Sequence, residues 1–251
     1  MNKLTLVGGP TAVLEYGGLR WLTDPALSPP GEYGGLVKTT GPALRADEIG
    51  AVDAVLLSHD HHPDNLDPGG RDFLPRAGRV LTTAPGAERL GGGAVGLEPW
   101  QAIEITGPHE RAVTVTALPA LHGPEGSEPI TGPVIGFRLA SPGLDTVYVS
   151  GDNASLDVVR QIVGRCGQFD VALLFAGAVQ LSHRFDGAYL TLSGDRAAEA
   201  AIILGVRAAV ALHFEGWEHF TQGADALRAA FAGNGVSSLL TIPERGIAVA
   251  L

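Results

Sequence analysis

The chain has 251 residues, enough for one large α/β domain or two small ones around a substantial core. Its formal net charge is −10, with 17 Lys and Arg against 27 Asp and Glu and no basic run, which argues against nucleic acid as a partner because such binding draws on cationic contacts to phosphate. One cysteine, Cys166, excludes an intrachain disulfide, and the longest apolar run, 171–179, is about half a membrane span, so a soluble cytoplasmic protein is expected.

Gly and Pro are spread along the whole chain, and no stretch is long, polar and featureless. A single domain over 1–251 is the reading. The first quarter gives short strands at 3–7, 11–16 and 19–23, separated by GGP and GG turns, as in an antiparallel meander. The N-terminal segment has its apolar run broken by Gly, Pro and Glu, unlike a signal peptide. The loop DPALSPPGEYGG, 24–35, is too long for a simple turn and reads as the border of a site.

Further strands are predicted at 54–57, 79–83, 102–106, 112–118, 134–139, 146–150, 171–175, 208–212, 239–242 and 247–251. Several are apolar on both faces, the mark of burial between layers. Three helices are predicted. The first, 155–163, has Ser155 as N-cap and stops at Gly164; Cys166 just beyond it reads as an idle thiol. The second, 195–204, has apolar residues at 197, 198, 201, 202 and 204, with Ser193 as cap and Gly205 as terminator. The third, 224–232, ends at Gly233. Two halves, each running strands then helix, suit two sheets packed face to face with helices outside.

Residues 58–67 read SHDHHPDNLD, three histidines and three aspartates within ten positions, directly after an apolar strand. The pattern recurs. TALPAL runs into His122, VYVSG into Asp152, and VAL into His213. Ends of neighbouring strands lie side by side, so four such ends can converge on one cleft. Neutral imidazole with carboxylate is the donor set of zinc, iron or manganese.

The run SHDHHPDNLD resembles the His-x-His-x-Asp-His loop of the metallo-β-lactamase fold, and His122, Asp152 and His213 follow in that superfamily's order. The resemblance covers essentially the whole chain. It is closest to the branch similar to the ascorbate-phosphate lactonases and the N-acyl-phosphatidylethanolamine phospholipase D type, whose early "DP" loop looks like Asp24-Pro25 in LRWLTDPALS. It implies a four-layer αββα sandwich and a metal-dependent hydrolase. Allowing one inserted residue, Asp64-Asn65-Leu66-Asp67 matches the family's Asp-His-Phe/Leu-Asp. Carried over, one metal takes His59, either His61 or His62, and His122; the spacing to Asp64 favours His62. A second takes Asp64 and His213, with Asp152 bridging. Asn65 stands where the family has a metal-binding histidine, which leaves one ion or two open. The resemblance further implies that Asp64 orients a metal-activated water and receives its proton, the substrate being a small ester, lactone, amide or phosphodiester.

Other residues read more plainly. Asp60 is expected to fix a histidine's tautomer rather than bind metal, and Asp24 to fix its loop beside the ligands. Glu215, Trp217 and His219 read as pocket wall or support, and His183 as a loop residue near it. Ser58 and Ser150 lack a nucleophile elbow. The glycines 91–93 follow no dinucleotide fingerprint. Two other functions remain on the sequence: an iron-dependent redox or thiol-handling protein of the same fold, and, resting on Asn65 alone, a degenerate binding module.

Overall fold

The computed structural model describes residues 2–181 and 185–251. Alternating apolar side chains open the chain as an antiparallel meander of β1 (Lys3–Gly8), β2 (Thr11–Tyr16) and β3 (Leu19–Thr23). Gly17 and Gly18 both take positive φ, +67° and +82°, which makes the two-residue turn between β2 and β3 a glycine-dependent one. The 24–35 loop leads into a small hairpin, β4 (Gly31–Tyr33) with β5 (Leu36–Lys38). Then follow α1 (Ala46–Ile49), β6 (Ala54–Leu56), α2 (Pro68–Phe73), β7 (Val80–Thr83), α3 (Ala84–Leu90) and β8 (Val95–Leu97).

The second half runs β9 (Ala102–Thr106), β10 (Ala112–Pro119), α4 (Glu128–Thr131), β11 (Ile135–Ala140), β12 (Val147–Val149), α5 (Leu156–Cys166), β13 (Val171–Phe175), α6 (Gly194–Leu204), β14 (Ala208–Leu212), α7 (Ala224–Gly233), β15 (Leu240–Thr241) and β16 (Ala248–Ala250). Two seven-stranded sheets result, in the orders β16-β1-β2-β3-β6-β7-β8 and β15-β14-β13-β12-β11-β10-β9. The last strand, β16, thus returns to the first sheet beside β1.

The period of two decides the layering. Leu14, Trp21 and Leu56 point into the core shared by both sheets, while their neighbours Val13, Leu22 and Val55 join Ile49 and Phe73 in a second cluster beneath α1 and α2. In the second sheet, β13 is buried along its whole length because α5 to α7 cover its other face with Val159, Ile162, Ala201 and Phe231. The result is the αββα sandwich expected from the sequence.

Local signals place most boundaries. The Ser155 side chain accepts from Val158 N–H at the start of α5, and Ser193 does the same for Arg196 N–H in α6, each cap contributing about 1 kcal/mol. Gly205, left-handed at φ +70°, closes α6. The expected stop at Gly164 is corrected: α5 runs on to Cys166 and ends at Gly167, because Val163 and Cys166 pack on the core and outweigh the roughly 1 kcal/mol cost of an internal glycine. Helix α3 and strand β8 escaped the sequence reading, their runs being short and weakly patterned. No helix among the described residues is long and apolar enough to cross a membrane.

Candidate metal centre

Strands β10, β12 and β14 run in one direction within the second sheet, and β6 ends in the first sheet facing them. Their C-terminal ends therefore deliver His122, Asp152, His213 and the 58–67 loop to one rim. Backbone strain concentrates there: Asp24, Ala178 and His213 all hold positive φ, 22°, 51° and 56°. Gly177 is required beside them, since a Cβ there would stand 2.2 Å from the His213 carbonyl oxygen.

Two donor groups form. One atom from each of His59, His62, His122 and Asp152 lies within 4.8 Å of the others, and the same holds for Asp64, Asp152 and His213. Hydrogen bonds fix which nitrogens face inward. His122 Nδ1 donates to the Leu190 carbonyl at 2.7 Å, which leaves Nε2 as a lone pair directed at the group. Ser58 Oγ donates to Asp24 at 2.5 Å, so its lone pair receives His59 Nδ1–H at 2.9 Å and His59 Nε2 is left bare in the same way. His62 Nδ1 then lies 2.9 Å from His59 Nε2 and 3.2 Å from His122 Nε2. It can donate to one of them at most. Asp152 Oδ2, 3.9 Å and 3.7 Å from those two nitrogens, is buried with no hydrogen-bond partner. Converging lone pairs with too few protons between them are satisfied by a cation, and the donor types fit a divalent transition metal.

The electrostatics agree. Burial first, and then the neighbouring imidazoles, hold His59 well below its usual range and push His62 down to about 3, so both are neutral near pH 7. Burial acts against the charge of His213, but the carboxylates of Asp152 and Asp64 raise it. Burial likewise opposes the Asp64 carboxylate, yet His213 and His219 hold it well below the ordinary carboxylate range.

His61 stands apart: its Nε2 is 2.6 Å from the Thr131 carbonyl oxygen. Asp60 is buried, ion-paired to Arg89 at 2.5 Å and 3.8 Å from His61 Nδ1. Asn65 turns its NH₂ toward Asp24 at 3.0 Å and Asp152 at 3.3 Å; carboxylates only accept, so the amide serves as a donor to them. Asp24 is a support to the site, taking Ser58 N–H and Oγ–H and Asn65, with burial pushing its carboxyl up to about 7. Ser150 is buried and bonded to backbone. Glu215 accepts from Gly9 N–H and Trp217 is core, stacked near Lys38, whereas His219 reaches Asp64. His183 lies outside the described residues.

Two supports escaped the sequence. The Leu190 carbonyl orients His122 across 68 positions, and Ser58, dismissed as a nucleophile, links Asp24 to His59. Only the adjacency of Ser58 to His59 could have signalled the latter. A cavity of about 300 Å³ opens over His62, Asp64 and His122, bordered by Gly34 and Leu36 of the hairpin that grows from the 24–35 loop.

Residues 20–214 match the family model described as the beta-lactamase superfamily domain. The chain is 29% identical over 201 residues to a UPF0173 metal-dependent hydrolase of Methanosphaerula palustris, covering 77% of this chain and 83% of that one. A structure from Veillonella parvula described as a possible metal-dependent hydrolase superposes with a TM-score of 0.86 at 20% identity over 100% of both chains. The isothiocyanate hydrolase from Delia radicum gut bacteria does so at 0.84 and 20%, covering 99% of this chain and 98% of that one. At such identities the structural likeness is one of fold.

Proposed function

The chain belongs to the β-lactamase superfamily, a family of metallo-β-lactamase fold with metal-dependent hydrolases among its relatives, and from that premise we propose that it is a metal-dependent hydrolase of a small ester, lactone, amide or phosphodiester. One observation carries the reading: the imidazole nitrogens of buried His59 and His122 and of half-buried His62 face one another beside a buried, unpartnered carboxylate oxygen.

In this reading His59, His62 and His122 hold one divalent transition metal. Asp64 and His213 form a second set, with Asp152 between the two. The nitrogen-rich first set suits zinc, and manganese or iron accept the same donors. Bound there, such a cation supplies a Lewis acid that acidifies water and polarises a substrate oxygen. The chain supplies the rest. Asp24, through Ser58, and the Leu190 carbonyl keep two imidazoles in the metal-facing tautomer. Asp64, kept ionised by His213 and His219, takes a proton from the attacking water and returns it to the leaving group. Water's oxygen joins the acyl or phosphoryl centre, and the bond to the leaving group breaks. A lone thiol, half-buried at the end of α5, accords with a reducing cytoplasm.

The test is metal analysis of purified wild type beside His59→Ala and Asp152→Ala, followed by hydrolysis of a substrate panel before and after chelation. One or two ions in wild type, their loss in the variants, and turnover abolished by chelator are expected. Wild type that binds no divalent metal at micromolar concentration overturns the reading.

A further inference from the structure

We propose that the substrate is a small, uncharged molecule carrying an apolar acyl or alkyl group, seated against an aliphatic wall that faces the metal donors. The proposal rests on the hydrolase reading and narrows it. The cavity over the donors is about 300 Å³, at the lower end for small-molecule sites. Its polar side is His61, His62, Asp64, His122 and His219; the remainder is chiefly Leu36, Pro63, Val179, Leu181 and Leu190.

That wall is built into the fold. Val179 and Leu190 are buried, and the Leu190 N–H donates to the Val179 carbonyl at 2.8 Å. The Leu190 carbonyl holds His122, so one residue sets both the apolar wall and the facing imidazole. Phosphodiesters and carboxylates are recognised by cationic forks. Among the described lining residues none is Lys or Arg. Among the described residues, Lys38 is committed to Asp67, Arg89 to Asp60, and Arg71 to the Asp60 carbonyl. An apolar group gains free energy in this cavity, whereas a second anionic charge meets the Asp64 carboxylate and, among the described lining residues, no Lys or Arg.

The experiment compares 4-nitrophenyl acetate, propionate and butyrate with 4-nitrophenyl succinate and bis(4-nitrophenyl) phosphate on metal-loaded protein. The specificity constant kcat/KM should rise about fourfold per added methylene, the worth of a buried CH₂. The succinate ester and the phosphodiester should be poorer than the butyrate. Leu36→Ala should flatten the series while metal content stays at the wild-type value. A flat or falling series, or preference for either anion, overturns the proposal. Should no compound turn over, the hydrolase reading fails, and calorimetric titration with acetamide and hexanamide decides the pocket separately. Tighter hexanamide supports the apolar wall; equal or weaker binding overturns it.

Discussion

His219 Nε2 lies 2.9 Å from Asp64 Oδ2, the same carboxylate oxygen that His213 Nε2 approaches to 3.3 Å. Two imidazoles, six positions apart after β14, thus hold the carboxylate assigned to receive the proton. Asn65, at the position where the family has an imidazole, gives its NH₂ to Asp24 and Asp152 and keeps a buried Oδ1 without a hydrogen-bond partner.

Loss of His219 should therefore loosen Asp64 without touching the three-histidine group. In His219→Ala, affinity for a second equivalent of zinc should fall by about 10- to 100-fold, with the first equivalent unchanged. Competition against a chromophoric chelator reads both. Equal loss at both equivalents would mean general damage rather than a role at Asp64.

His61 and His62 are neighbours in sequence and in space, their ring centroids 4.4 Å apart, but they face different partners, which gives a paired test. His62→Ala should cut metal affinity by more than about 100-fold, since it removes one of three facing nitrogens. His61→Ala should retain the metal and lose about 1 kcal/mol of stability with its hydrogen bond to the Thr131 carbonyl. Metal retention in His62→Ala together with its loss in His61→Ala would reverse the assignment.

The metal-free protein should lose stability as pH falls from about 6 to 4. His59 and His62 have depressed folded pKa values, so unfolding in this window takes up two protons, and their stabilising contribution is present above pH 6.5 and lost below it. Asp24, raised to about 7, is protonated when folded and releases one on unfolding, which offsets half of that uptake. His213, raised, is protonated in both states there. Uptake exceeds release across the window, so stability falls as pH drops, on the order of 1 kcal/mol per pH unit for each net proton. Urea midpoints of chelator-treated protein at pH 6, 5 and 4 measure it; rising stability toward pH 4 would contradict the neutral imidazoles.

Away from the site, buried Asp67 joins the site loop to its border. It accepts from Leu27, Ser28 and Gly70 N–H groups, each at 2.8 Å, and pairs with buried Lys38 at 2.9 Å. Asp67→Ala strands the Lys38 ammonium and should cost about 3–5 kcal/mol. Lys38→Met should cost less, because three backbone donors still satisfy the carboxylate. Denaturant unfolding of both variants checks the order.

Much of this was legible in one dimension. Period-two alternation from Leu4 to Leu22 gives the opening meander, and Ser155, Ser193 and Gly205 mark helix ends through contacts that span a single turn. The ligand candidates showed because each follows an apolar run, and a strand carries its terminal residue to the sheet's rim whatever else the chain does. Helix α3 was hidden because its seven residues repeat too few apolar positions to register a period.

Composition and order thus determined the layered fold and which histidines and aspartates could share a rim, because burial alternates with a local period and strand ends lie at sheet edges. Tertiary structure alone brought His62 rather than its neighbour His61 into the donor group, set the Asn65 NH₂ against Asp24 and Asp152, and placed His219 against Asp64 and Leu190 behind His122. Those outcomes depend on side-chain direction and on hydrogen-bond partners dozens of positions away, such as the Thr131 carbonyl 70 residues beyond His61. No local pattern in the sequence encodes such a partner, because the bond exists only once the two sheets have closed on each other.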